Sequence, residues 1–167
     1  MKIGLLSDTH GFLDPSVFTH FSLCDEIWHA GDIGAASILA ELEKFKPTKA
    51  VFGNIDSRPL QQKLPEDLWF TCEDLTIWIT HIGGKPPTYN ARVKNLLKEK
   101  TPDIFICGHS HILKVQRDPQ FNNMLYLNPG AAGNQGLHIY RTLIRFEIDK
   151  KKVSNMEVIE LGKRGAL

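Results

Sequence analysis

The sequence predicts an α/β protein with more than one sheet, a β-sandwich with helices on its outside. Three observations predict it. Apolar strand-like runs alternate with amphipathic helical segments through the first half of the chain. After Pro102 the helical spacing stops, and five strand-like stretches follow one another. No repeat, low-complexity run or linker divides the sequence, so one domain over residues 1–167 is expected.

The elements follow in order. "KIGLL" (2–6) and "EIWHA" (26–30) are apolar strands. "ASILAELEKF" (36–45) places Ile38, Leu39, Leu42 and Phe45 at helical spacing, and Lys46-Pro47 ends the helix. "KAVFG" (49–53) is a third strand. From Leu68 to Thr80, "LWFTC" and "TIWIT" flank a Glu73-Asp74 turn. The spacing predicts a helix over 88–100, with Thr88 as N-cap and Tyr89, Val93, Leu96 and Leu97 as its apolar face. "DIFIC", "LKVQR", "MLYLN", "HIYRTLIRFEID" and "VSNMEVIEL" then read as strands. The last two form a hairpin across Lys150–Lys152, a solvated turn rather than a nucleic-acid patch.

Composition narrows the function classes. The chain has 167 residues and a formal net charge of +1, so no global field favours nucleic acid or an anionic membrane. The opening "MKIGLLSDTHG" has too short an apolar run for a secretory segment or a membrane span, and a cytoplasmic protein is expected. Cys24, Cys72 and Cys107 are odd in number and lack CxxC spacing. They read as reduced core thiols; a reactive thiol is the alternative, with no electropositive motif to support it.

Five predicted strands end alike, in an apolar run followed by small or polar residues able to hold a metal. "IGLLSDTHG" supplies Asp8 and His10, "IWHAGD" Asp32, "AVFGNID" Asn54, "IWITH" His81, and "FICGHSH" His109 and His111. Ligands of α/β sheets bind beyond the carboxyl ends of strands. If the chain stays extended past Gly108, His109 and His111 share a face. Glycine flanks the motifs at Gly11, Gly31, Gly53 and Gly108, where it permits sharp turns and close backbone approach. Seven ligand groups exceed one tetrahedral zinc and suit two ions of higher coordination sharing a carboxylate. Imidazole, carboxylate and amide oxygen without thiolate point to first-row divalent ions.

The series "DTHG", "GD", "GN", "TH" and "GHSH", in that order and spacing, resembles the calcineurin-like metallophosphoesterase superfamily. The short length, "GNID" and "NPG" resemble its small bacterial YfcE-type phosphodiesterase subfamily. The resemblance spans residues 1 to about 160 and requires five separate pieces in order. It implies a four-layer α-β-β-α sandwich. It also implies that Asp8, His10 and His111 hold one metal, that Asn54, His81 and His109 hold the other, and that Asp32 bridges them. The implied cofactors are two divalent ions, manganese first, with iron, nickel or zinc as alternatives.

The expected reaction is hydrolysis of a small phosphoester or nucleotide-like substrate by hydroxide held between cations roughly 3.5–4 Å apart. His10 or Asn54 would stabilise charge on the equatorial oxygens, with Asp32 as the shared carboxylate. Two departures from the wider superfamily matter. Ile55 follows the motif Asn where many phosphomonoesterases carry a proton-transferring His, and Ile82-Gly83 replaces a Gly-His pair. Phosphodiesters with good leaving groups should therefore be favoured. A phosphomonoesterase or nucleotide pyrophosphatase is the first alternative, and a protein-binding scaffold like the retromer subunit of this fold the second. A large nucleic-acid footprint is not expected. Relatives are often dimers or tetramers, which leaves a homo-oligomer open.

Other residues weigh toward plainer roles. His29 reads as a hydrogen-bonded strand residue or support for a ligand. His20 and His138 read as ordinary histidines. Asp56 and Arg58 suit either a turn or a role beside the site, supporting a ligand or facing substrate, and Asn128 either a Pro-Gly turn or the orienting of a ligand. Lys85 reads as a solvated loop lysine, and Trp28, Trp69 and Trp78 as core.

Overall fold

The computed structural model describes residues 1–165, so the last two positions of the expected domain lie outside the described residues. In chain order the elements are β1 (Lys2–Leu6), α1 (Ser16–His20), β2 (Glu26–His29), α2 (Ala36–Phe45), β3 (Thr48–Ala50), α3 (Arg58–Lys63), β4 (Asp67–Cys72) and β5 (Leu75–Thr80). There follow β6 (Gly84–Lys85), β7 (Thr88–Tyr89), α4 (Ala91–Glu99), β8 (Ile104–Ile106), β9 (Lys114–Asp118), β10 (Met124–Asn128), β11 (Tyr140–Asp149) and β12 (Lys152–Lys163).

Two five-stranded sheets form, ordered β12-β11-β1-β2-β3 and β4-β5-β8-β10-β9, with a small β6-β7 hairpin. The centre of each sheet is parallel: β1 with β2 and β2 with β3, then β5 with β8 and β8 with β10. In the first sheet β3 is a parallel edge, while β11 and β12 run antiparallel on the far side of β1; in the second, antiparallel β4 and β9 close both edges.

Period-two alternation sorts the strand residues into layers. Ile3 and Leu5 of β1, Ile77 and Ile79 of β5, and Ile104 and Ile106 of β8 share one cluster between the sheets. Leu6 and Ile27 face outward onto Val17, Leu39, Leu42 and Leu60 from α1, α2 and α3. Trp78, Phe105 and Tyr126 face the other way, onto Val93 and Leu97 of α4. The result is the four-layer α-β-β-α sandwich. Burying each large aliphatic side chain in it contributes about 1.5–3 kcal/mol. Among the described residues, no helix is long and apolar enough to cross a membrane.

Local differences have physical causes. The third strand ends at Ala50, because the chain then leaves the sheet and Phe52 N–H donates to the Pro65 carbonyl (3.1 Å). The predicted 88–100 helix begins at Ala91, since Thr88 and Tyr89 pair with Lys85 and Gly84 in the hairpin. Asn90, not Thr88, caps it: its side-chain oxygen accepts from Val93 N–H at 2.8 Å. Helices α1 and α3 span five and six residues, too short to show helical periodicity. The β11–β12 hairpin turns at Lys150 and Lys151, as expected. All three cysteines are buried and unpaired.

Candidate metal centre

Each motif lies in the loop after the carboxyl end of a strand. Asp8 and His10 follow β1, Asp32 follows β2, Asn54 follows β3, His81 follows β5, and His109 and His111 follow β8. Backbone hydrogen bonds lace these loops across the sheets: Asp8 N to Gly31 O, His10 N to Asp32 O and Gly108 N to His81 O, each at 3.0 Å. Asp8, His10, Asp32, His109 and His111 all take positive φ. That left-handed backbone is uncommon for residues with side chains, and it clusters where the surrounding structure forces side chains inward. It also corrects the extended reading of the two motif histidines. The chain turns at both, with Ser110 N–H donating to Gly108 O at 2.8 Å, and they join different groups.

Two groups of donor atoms result, Asp8/His10/His111 and Asp32/His81/His109. In the first, His10 Nε2 and His111 Nε2 are 3.1 Å apart, and His111 Nε2 is 3.2 Å from Asp8 Oδ1. In the second, His81 Nε2 is 3.2 Å from Asp32 Oδ2. The same Asp32 oxygen lies 3.7 Å from His10 Nε2, so this carboxylate reaches both groups. Asn54 is exposed and shares a cavity wall with His81 at the edge of the second group.

The tautomers show what these atoms are set to receive. His81 Nδ1 lies 2.8 Å from the Ala30 carbonyl, which only accepts, so Nδ1 carries the proton. Nε2 then turns its lone pair toward Asp32. Asp8 Oδ1 and His81 Nε2 are buried with no hydrogen-bond partner. Orphaned buried acceptors facing one another are costly unless a cation lies among them. Ligands about 2.1 Å from one cation and at right angles are about 3 Å apart, the spacing found here. The donor set fits divalent metal.

Charge reinforces the fit. Burial raises the Asp8 pKa, but the imidazoles of His10 and His111 outweigh it and hold the carboxyl below its ordinary range. Burial likewise opposes ionisation of Asp32, yet His81 and the Ile55 N–H hold it low. The Asp8 carboxylate draws the His10 pKa upward. Burial lowers that of His81, but Asp32 and Asp8 raise it further than burial depresses it.

The surrounding residues fix these positions. Ile55 N–H donates to Asp32 Oδ1 at 3.0 Å. Gly53 allows that approach, since a Cβ there would overlap Asp32 Oδ1. Asp56, buried, accepts from Gly53 N (2.8 Å) and Gly34 N (2.7 Å) and so ties two loops together. Arg58 opens α3 on the surface, and Lys85 is exposed in β6. His29 Nδ1 accepts from Gly31 N (3.2 Å), its Nε2 faces Thr9 Oγ1 (3.1 Å), and burial lowers its pKa to about 4. It is a neutral support beneath the loops. Asn128 Nδ2 donates to Gly108 O at 2.9 Å and steadies the loop bearing His109 and His111. His138, read from sequence as ordinary, stands against His111, Nδ1 to Nδ1 at 3.1 Å. No motif marks it, because that contact spans 27 residues of sequence.

A two-sheet sandwich whose strand ends converge on paired carboxylate–imidazole groups defines a metal-binding hydrolase. The chain belongs to the calcineurin-like phosphoesterase superfamily, whose domain model matches residues 1–151. It is 32% identical over 167 residues to a probable metallophosphoesterase of Methanothermobacter thermautotrophicus, covering 97% of this chain and 94% of that protein. Among solved structures it resembles a novel archaeal phosphodiesterase, with TM-score 0.79, 23% identity, and 96% and 100% of the two chains covered. It also resembles a single mutant of Vps29 from Entamoeba histolytica, with TM-score 0.75, 16% identity, and 97% and 100% covered. At those identities the structural likenesses speak for the fold alone.

Proposed function

We propose that this metal-dependent phosphoesterase is a phosphodiesterase acting on small phosphodiesters with good leaving groups, aryl or nucleotidyl. The observation that carries the reading is the Asp32 carboxylate, placed 3.2 Å from His81 Nε2 and 3.7 Å from His10 Nε2 and so shared between two donor groups. Asp8, His10 and His111 would hold one divalent ion, Asn54, His81 and His109 the other, with Asp32 common to both. Bound there, divalent cations supply Lewis-acid charge to phosphoryl oxygens and lower the pKa of water.

The chain's own residues do the rest. The exposed Asn54 amide or the imidazole of His10 would stabilise phosphoryl oxygens where charge develops. Hydrolysis forms one P–O bond from water and breaks one P–O ester bond, and the departing alkoxide needs a proton or an intrinsically low pKa. Ile55 offers no proton; its side chain is 45% exposed beside the site, where a His would serve as acid. That supports diesters with stable leaving groups over unactivated monoesters. A cavity of about 540 Å³ opens beside Asn54 and His81, walled in part by Phe52, Ile82 and Ala91. It has room for an apolar ring on the second ester arm. The buried, unpaired cysteines support a reducing compartment such as the cytoplasm.

Initial rates on bis-p-nitrophenyl phosphate and p-nitrophenyl phosphate, with Mn²⁺, test the reading. The diester should be the faster substrate; a much faster monoester overturns it. The scaffold reading draws on exposed apolar side chains beside the site, Leu137 at 99% and Ile139 at 70% exposure. A folded, metal-loaded protein inert toward every phosphoester would favour it.

A further inference from the structure

We infer that His138 is a positioning residue: held by the Gly133 carbonyl, it fixes the proton of His111 on Nδ1 and aims the Nε2 lone pair of His111 at Asp8 and His10. The inference rests on the metal-site reading above and assigns work to a residue outside every motif.

Donor and acceptor positions fix the tautomers. His138 Nε2 lies 3.0 Å from the Gly133 carbonyl oxygen. A carbonyl only accepts, so Nε2 of His138 bears the proton. In a neutral imidazole the other nitrogen is then an acceptor. His138 Nδ1 lies 3.1 Å from His111 Nδ1, and that hydrogen bond exists only if His111 brings the proton. His111 Nε2 is left as a lone pair, 3.2 Å from Asp8 Oδ1 and 3.1 Å from His10 Nε2.

The second donor group uses the same device with one fewer ring. His81 Nδ1 donates straight to the Ala30 carbonyl, and its Nε2 faces Asp32. Each group therefore contains one histidine whose tautomer is set by a backbone carbonyl, directly for His81 and through His138 for His111. Such partners orient the ring and raise ligand basicity.

The loop carrying His138 is shaped for this contact. Gly136 has φ +121°, and a Cβ there would overlap His111 Nδ1, so glycine lets the segment close over the imidazole pair. Arg164 Nε–H donates to the His138 carbonyl at 3.2 Å and anchors the segment from β12's end. The rings of His111 and His138 meet edge to face, with centroids 5.1 Å apart, so the contact is a directed hydrogen bond rather than stacking.

The test uses the full chain and two readouts. In the metal-free wild type, long-range ¹H–¹⁵N correlation spectra should show His111 protonated on Nδ1; a His111 protonated on Nε2 overturns the inference without any variant. His138→Phe keeps a planar ring but no acceptor, and His138→Leu serves if the phenylalanine variant does not fold. Either should move His111 toward the Nε2–H tautomer and weaken Mn²⁺ binding at one site by about 10–100-fold in calorimetry. His138→Gln, whose amide can both accept from His111 and donate to Gly133, should stay within about threefold of wild type, the rescue a packing role would not give. An unchanged tautomer with unchanged Mn²⁺ affinity in His138→Phe overturns the inference. A wild type that binds no Mn²⁺ at all refutes the metal-site reading instead, while the spectra still decide the tautomer.

Discussion

The two donor groups are built from the same chemistry but differ in access. In the first, the Asp8 side chain is 0% exposed, and His10 and His111 are each largely covered. The loop at Gly136 and His138 closes over it. In the second, Asp32 and His81 are buried, but His109 and Asn54 are exposed, and the 540 Å³ cavity opens beside them. The difference separates two tasks. A closed, pre-oriented group retains a cation, because its ligands lose little freedom on binding. An open group keeps coordination positions accessible to solvent and to a phosphoryl oxygen. In the proposed reading Asp32, 3.2 Å from His81 Nε2 and 3.7 Å from His10 Nε2, would join the two into one site.

The sharpest way to break this comparison is to remove the shared member. Asp32→Ala should reduce phosphodiester hydrolysis by at least about 10²–10³-fold, the scale set by losing one preorganised charge-stabilising group. It should also lower Mn²⁺ stoichiometry at both groups, read by calorimetry. Loss at one group alone would mean the groups are independent.

The support common to both groups is His29, beneath the loops of Asp8 and Asp32. Its folded pKa is about 4 against an ordinary 6.5, so the unfolded chain binds more protons between those values. Stability from a neutral His29 is therefore complete above about pH 6.5 and lost as pH falls toward 4, by on the order of 3 kcal/mol. Urea unfolding of the metal-free protein across this range should show that slope, and His29→Gln should flatten it.

The open and closed groups are distinguished by their outer ligands. His111→Ala should weaken the tighter Mn²⁺ site by more than the roughly 10–100-fold expected for loss of its partner His138, while His109→Ala should affect mainly the weaker one and cost less. Equal effects on a single binding event would erase the distinction. pH sharpens it further. The pKa values of His10 and His81 are raised, so protons compete with metal from above the ordinary imidazole range downward. Mn²⁺ affinity should fall as pH drops through that range, by about tenfold per unit for each proton displaced. The smallest effect is expected at Ile55→His, which should raise monoester hydrolysis a few-fold without improving the diester rate.

How legible the site was follows from the same contrast. Asp8, His10, Asp32, Asn54, His81, His109 and His111 could be singled out as candidate ligands because each follows an apolar run, and strand ends are where α/β sheets bind ligands; the structure gathers all but Asn54 into two donor groups. Their backbone could not be read: positive φ at His109 and His111 replaces the extended geometry expected after Gly108, because tertiary closure overrides local preference. The sandwich was legible from the order of strand and helix runs and its four layers from the resemblance; the structure adds the faces, with Trp78 opposite Ile77 and Ile79. Helices α1 and α3, five and six residues long, and the two-residue strands β6 and β7 were not, being too short to show a repeating pattern. His138 acts through a contact with a residue distant along the chain, which no local pattern encodes; Asp56 could be weighed as a support from "GNID", but its bond to Gly34 could not.

The measurement that bears most directly on the account is anomalous X-ray scattering from crystals soaked in Mn²⁺. Two peaks are predicted, one among Asp8, His10, Asp32 and His111, the other among Asp32, Asn54, His81 and His109. A single peak, or peaks away from Asp32, would contradict it.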